Sequence, residues 1–331
     1  MKKLLLLSLT LLMSISLVAC STPSDTVEPT ATPEGNNEVA STIKVEVTDA
    51  EGNPIKVEFP LNPEKVVCLN WQTVDFLDTL GLGHKIVGIM KDGSYPEHLK
   101  AYIEDENITN VGGMKSPDME AIMSLQPDVI FSSDRTESKY DEFSKIAPTM
   151  SSYVAYKKGF MNGFKELAIK HSMIFDVQDE VNGLVNQYDE RIATIAEFAK
   201  DKTALLGIFA GGLNTLGNTG RASIIVNEMG FTNLKDDKDV NHGDVSSYEA
   251  WLELNPDWMF VLDKDTAVGT EAVAAKEQME VNNAVIAQTN AFKNNQIVYL
   301  EPGAAWYIAD GGLKSLDLMI SCIEEGLGLT K

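Results

Sequence analysis

The residue types best placed to do chemistry in this 331-residue chain are a small set of cations in loops. Only three of its 27 basic residues are Arg, namely Arg135, Arg191 and Arg221. Arg135 follows an apolar run at 129–132, and Arg221 follows the polar stretch 213–220 where a helix is expected to start. Loops at the carboxyl ends of strands line the ligand crevice of open α/β sheets, and a cation at a helix N-terminus adds to the positive end of its dipole. Arg191 falls in a long helical pattern and reads as a solvated face residue. Lys264 holds the place of Arg135 in an internal repeat described below, and Lys115 stands in the Gly-containing loop 112–118. Cations gathered in one cleft repel one another and call for an anionic guest; the same residues scattered over a surface would call for none.

Other candidates leave more than one reading open. His242, in the polar loop 239–245, reads as a metal ligand, a hydrogen-bond donor or a surface residue. Tyr307 follows the apolar run 297–300, and a phenolate is a hard oxygen donor suited to ferric iron. Trp306 and Trp71 offer aromatic faces to a guest or serve as packing. No nucleophile elbow, P-loop, zinc-protease helix or dinucleotide fingerprint occurs, which weighs against an enzyme. A formal charge of −22 offers no basic surface to phosphate backbones, so nucleic acid is not an expected partner.

Elements able to position these residues alternate along the chain. A hairpin is expected over 43–60, turning at Asp49 to Asn53. Short apolar runs and helical patterns then follow one another, which argues for an α/β fold with central parallel sheets covered by helices. The segments 119–131 (MEAIMSLQPDVIF) and 248–260 (YEAWLELNPDWMF) align without gaps at an offset of 129 and share Glu, Ala, Leu, Pro, Asp and Phe. Each reads as a helix, a Pro-Asp turn and a buried strand, and the pair implies two related Rossmann-like lobes. Residues 161–200 contain no Pro and carry apolar positions at helical spacing, so one long, stiff linking helix is expected between an N-terminal lobe at 43–160 and a C-terminal lobe at 201–331. The ligand cleft would lie between the lobes.

Lys2 and Lys3 precede an apolar run at 4–17 that is too short for a membrane span, so residues 1–19 read as an export signal peptide. Leu17, Val18, Ala19 and Cys20 resemble the bacterial lipobox, in which the Cys is lipidated. Residues 20–42 then form a lipidated Cys followed by a Ser-, Thr- and Pro-rich tether without aromatics. The expected location is extracytoplasmic, anchored by lipid to the outer face of the cell membrane. Cys68 and Cys322 sit in apolar contexts and read as packed thiols.

Taken as a set, the lipobox, Lys115-Ser-Pro-Asp-Met-Glu120, Leu125-Gln-Pro-Asp-Val-Ile-Phe131, Gly220-Arg-Ala222, Asn255-Pro-Asp257 and Tyr299-Leu-Glu-Pro302 resemble the solute-binding lipoproteins of iron-siderophore, haem and cobalamin ABC importers. That group is the class III periplasmic binding proteins, and the likeness spans about 43 to 331, nearest to binders of ferric catecholate siderophores. The resemblance implies a basic triad on Arg135, Arg221 and Lys264, a further cation at Lys115, and aromatic walls at Trp71 and Trp306. His242 and Tyr307 would complete an iron shell, and Glu120 and Glu249, at matching helix starts, would dock on the permease. Lys264 stands where the family usually has Arg, so a bidentate contact is lost there. The resemblance implies no intrinsic cofactor, with ferric iron arriving as a siderophore complex, and a monomer that hands its cargo to an ABC permease. Haem is the rival ligand within the class; an extracellular enzyme or a surface adhesion module on the same scaffold are rivals outside it.

Overall fold

The computed structural model describes residues 41–235, 243–281 and 283–330. The signal segment, Cys20, most of the tether and His242 therefore lie outside the described residues.

β1 (Thr42–Thr48) and β2 (Pro54–Pro60) pair antiparallel from Thr42↔Pro60 to Thr48↔Pro54, so Thr42, assigned to the tether from sequence, opens the hairpin. Asp49 closes its turn: Oδ1 accepts from Glu51 N at 3.0 Å and Asn53 N at 2.7 Å, and Gly52 takes the left-handed φ of 84° that the turn requires.

β3 (Val66–Cys68), β4 (Ile86–Ile89) and β5 (Thr109–Asn110) are followed by a two-stranded flap of β6 (Gly112–Gly113) and β7 (Ser116–Pro117), then by β8 (Val129–Ser132) and β9 (Thr149–Ser151). The first sheet runs β5-β4-β3-β8-β9 with every pair parallel. Its central strands β3 and β8 are buried along their whole length, as expected of a sheet covered on both faces.

The second sheet contains β10 (Thr203–Phe209), β11 (Leu213–Leu216), β12 (Thr232–Asn233), β13 (Asp244–Val245), β14 (Trp258–Asp263) and β15 (Ile297–Tyr299). Its order is β13-β11-β10-β14-β15, with β12 beside the start of β10. It is mixed rather than purely parallel. The three residues between β10 and β11 are too few for a crossover, so β11 folds back antiparallel on β10, and β13 is antiparallel to β11.

The internal repeat has the same local geometry in both copies. Asp118 and Ser247 cap the helices Met119–Ser124 and Tyr248–Leu254. Gln126 and Asn255 leave those helices at φ 48° and 43°. Asp128 Oδ2 then accepts from Glu64 N and Lys65 N at 2.9 and 2.8 Å, while Asp257 Oδ2 accepts from Thr203 N and Oγ1, both at 2.8 Å. In each half the repeated Pro-Asp carboxylate holds the entry of the sheet's central strand.

The single linking helix expected over 161–200 is two helices, Phe160–Phe175 and Gln178–Ala199. Asn62 N takes the Ile174 carbonyl at 2.7 Å, an acceptor that a continuing helix would have used, and Asp176 turns to φ 56°. Arg191 is not a solvated face residue. Its guanidinium bonds Glu324 through Nε (3.0 Å) and Nη2 (2.6 Å), Asp317 through Nη1 (2.6 Å) and Ser321 through Nη2 (2.8 Å), tying this hairpin of helices to the helix Leu313–Gly326.

That last helix is anchored at its other end by Asp75, a fully buried residue of the helix Trp71–Thr79. Asp75 Oδ1 accepts from Lys314 N (2.7 Å), and Oδ2 accepts from Ser315 N (3.0 Å), Ser315 Oγ (2.7 Å) and His98 Nε2 (2.8 Å). A carboxylate from the first half thus caps a helix of the second. Gly312 is needed at the junction, because a Cβ there would stand 2.6 Å from both Cβ and Oδ1 of Asp75. Cys68 and Cys322 are both free thiols.

Candidate functional site

A cleft of about 990 Å³ opens at the carboxyl ends of the strands and is lined from both halves of the molecule. From the first half come Asn70 to Gln72 after β3, Asp92 to Ser94 after β4, the flap residues Gly113 to Ser116, Ser133 to Arg135 after β8, and Tyr153 to Lys157 after β9. From the second come Thr219, Arg221, Val268, Tyr307, Ile308 and Asp310. At the mouth the two halves meet, where Ser94 Oγ donates to Val268 O at 2.7 Å.

Local chemistry fixes the walls. Asn70 caps the helix Trp71–Thr79 by accepting from Thr73 N at 2.8 Å, and its amide donates to Phe131 O and Ser132 O at 3.2 and 2.9 Å. One side chain thereby ties the end of β8 to the Trp71 helix. Trp71 is 3% exposed and lies 6.2 Å from the Tyr95 ring, so it is both core and cleft floor. Ser133 and Thr136 form a capping box around the turn that carries Arg135. Gly112 allows the flap to fold back, since a Cβ there would be 2.5 Å from Ser116 O, and Lys115 rides on the flap's tip.

Arg221 lies in a turn, not at a helix start: Ala222 is left-handed at φ 61° and the helix begins at Ile224. Its guanidinium sits over the Tyr307 ring, 4.2 Å from the centroid. Burial pulls Arg221 below its ordinary value, Tyr307 opposes that pull, and the positive charge of Arg135 adds to it. The negative charge of Asp134, next to Arg135 in the chain, opposes the pull as well.

Arg135, Arg221, Lys115, Trp71 and Tyr307 thus share one cleft. Two expected wall residues do not line it. Lys264 immediately follows Asp263, the last residue of β14, whereas Arg135 lies inside the capped turn that starts one residue after β8 ends; Lys264 Nζ stands 3.9 Å from Asp265 Oδ1. Trp306, at 1% exposure, is packed in the core among residues such as Leu313 and Leu316. Glu120 and Glu249 are exposed in the first turns of the two repeat helices. Among the described residues no group of three or more His, Cys, Asp or Glu side chains gathers as a metal-holding cluster.

The sequence reading passed over Tyr153, Tyr156, Lys157, Asp134 and Asp310, all of which line the cleft. The segment 153–157 follows β9, so the same rule of strand ends could have found it. Asp310 carried no such signal, because it lies beyond the helix Gly303–Tyr307 rather than at a strand end.

Residues 66–304 match the family model described as periplasmic binding protein. The petrobactin-binding protein YclQ of Bacillus subtilis (strain 168) is 33% identical over 335 residues, covering 99% of this chain and 99% of that protein. Its crystal structure superposes with a TM-score of 0.78 over 87% of this chain and 99% of that one. The periplasmic catecholate-siderophore binding protein VctP from Vibrio cholerae gives a TM-score of 0.77 at 28% identity, covering 86% of this chain and all (100%) of that one. The ferric-anguibactin-binding protein FatB of Vibrio anguillarum is 26% identical over 271 residues, covering 80% of this chain and 82% of that protein.

Proposed function

This chain belongs to the periplasmic binding protein family, and from that premise we propose that it is the siderophore receptor of an ABC importer, capturing an anionic ferric chelate of the catecholate type for iron uptake. The observation that carries the reading is the pairing of Arg135 and Arg221 in a cleft built from both halves of the molecule. Two guanidiniums lining one cleft suit a guest bearing negative charge, which charge-assisted hydrogen bonds to catecholate oxygens would hold. Lys115 on the flap and Lys157 after β9 add long-range attraction, while Trp71 and Tyr307 supply aromatic surface for the organic part of the chelate. Iron is cargo here; Tyr307, and His242 from outside the described residues, are the candidates to meet it. No covalent chemistry is part of this reading.

Lipidation at Cys20 would keep the receptor at the outer face of the membrane as a monomer. Glu120 and Glu249, exposed at equivalent points of the two halves, would meet the permease.

Fluorescence titration tests the reading, with apo and ferric catecholates, haem and cobalamin offered in parallel. Submicromolar quenching by the ferric catecholate is expected, with Arg135→Ala and Arg221→Ala each weakening it by about 1–3 kcal/mol. Tighter binding of haem, or affinity unchanged in both variants, would overturn it.

A further inference from the structure

The cleft contains one acid in surroundings unlike those of its other charged groups. Asp310 is 7% exposed and lies on the cleft lining. The Tyr156 hydroxyl donates to its Oδ2, while Gln72 Nε2 stands 3.5 Å from Oδ1, at the limit of a hydrogen bond. Its backbone cannot withdraw. A Cβ on Gly311 would be 2.9 Å from Val154 Cγ2 and 3.0 Å from Gln72 Cγ, and Gly312 is pressed against Asp75.

The elements around Asp310 present acids, cations and neutral donors together. The Trp71 helix presents Gln72, with Asp75 behind Gly312 already engaged by Lys314, Ser315 and His98. The turn after β9 presents Tyr156 and Lys157; the turn after β8 presents Asp134 and Arg135; the opposite wall carries Arg221 and Tyr307. Burial pushes the Asp310 carboxyl up to about 7, the negative charge of Asp134 adds to the push, and Gln72 with nearby main-chain N–H groups opposes it.

We infer that Asp310 is a specificity-determining residue of the cleft, standing as a neutral carboxylic acid whose weakly engaged Oδ1 donates a hydrogen bond to an acceptor on the anionic guest. The inference rests on the proposed function and adds to it a class of contact, an oxygen acceptor read by an acid rather than by a cation. Because the guest brings further negative charge, binding retains the proton, and ionisation of Asp310 replaces a donor with a repelling carboxylate. Affinity is then greatest below neutrality and falls above it.

The test uses the ferric complex of a synthetic hexadentate tris-catecholate, whose own charge is constant over the range, titrated by fluorescence quenching. For the wild-type chain the dissociation constant rises roughly 25-fold between about pH 6.5 and about pH 8.5. Asp310→Asn, which keeps an N–H donor and cannot ionise, binds within about threefold of wild type at the lower pH and stays flat. Asp310→Ala binds more weakly than Asp310→Asn at every pH. A flat wild-type profile, or an Asp310→Asn profile as steep as wild type, overturns the inference and leaves the receptor reading intact. Absence of quenching at every pH defeats the receptor reading, and the inference with it.

Discussion

Replacing Asp75 by Ala removes the carboxylate that joins the Trp71 helix to the start of the helix Leu313–Gly326. Four donors lose their acceptor: Lys314 N, Ser315 N, Ser315 Oγ and His98 Nε2, at 2.7, 3.0, 2.7 and 2.8 Å. Ser315 is 0% exposed, so water cannot readily replace the lost partner there. Hydrogen bonds to a charged group contribute about 1.5–3 kcal/mol each, and a lost helix cap about 1. These terms overlap, because all four donors share two oxygens, so the expected loss is about 3–5 kcal/mol rather than their sum. Urea unfolding reads it as a lower midpoint at unchanged slope. A second variant sharpens the test. Gly312 already has an ordinary φ of −80°, so Gly312→Ala destabilises only by driving a methyl group into Asp75. It should therefore cost less in the Asp75→Ala background than in the wild type, but still something, because the contacts with Cγ and Oδ1 are gone while the 2.6 Å contact with the Cβ at position 75 remains. A loss below about 1 kcal/mol for Asp75→Ala, or strictly additive effects in the double variant, would refute the inter-helix anchor.

Two further outcomes follow from buried groups. His171 lies between Phe76 and Phe131, donates through Nδ1 to Leu167 O at 2.9 Å, and meets Thr73 and Ser152 hydroxyls at Nε2; burial pulls it down to about 4. Its folded pKa is depressed, so the folded chain binds fewer protons: stability is intact above about pH 6.5 and falls by up to about 3 kcal/mol as pH drops through about 4, a loss that His171→Gln should not show in acid titrations followed by circular dichroism. Arg191→Ala leaves Glu324 and Asp317 without their shared partner and should cost about 1–2 kcal/mol in thermal unfolding, with Arg191→Lys recovering less than half because an ammonium cannot make the forked contact to Glu324.

Much of the molecule was readable from residue order because its two halves repeat one local solution. The helix, Pro-Asp turn and buried strand read from 119–131 and 248–260 occur in both copies, and the structure adds a left-handed residue before each Pro. The rule that loops beyond strands line the crevice points to Arg135, Arg221, Trp71 and Tyr307, and all four line the cleft. What sequence did not disclose depends on partners distant along the chain. The break at Asp176 follows from Asn62 taking a helix carbonyl, and no local pattern encodes that. Lys264 lies off the cleft because an offset of 129 carries over position along the chain without preserving strand length. Trp306 and Tyr307 are neighbours with opposite fates, one in the core and one under Arg221, and only the short helix that carries them decides which faces the cleft. Asp310 is set apart by Gly311 and Gly312, which are wedged against neighbouring elements that only the folded chain brings there.

The Asp75 anchor has a consequence for biogenesis. Its main-chain partners, Lys314 and Ser315, follow it by 239 and 240 residues. A polypeptide emerging N-terminus first therefore exposes a carboxylate destined for the interior long before the groups that satisfy it exist. The anchor itself can close only once the trailing end is present, a contact of the long-range kind that slows folding. For a chain exported in extended form, as residues 1–19 lead one to expect, that requirement would hold off the locked state until transit is nearly complete.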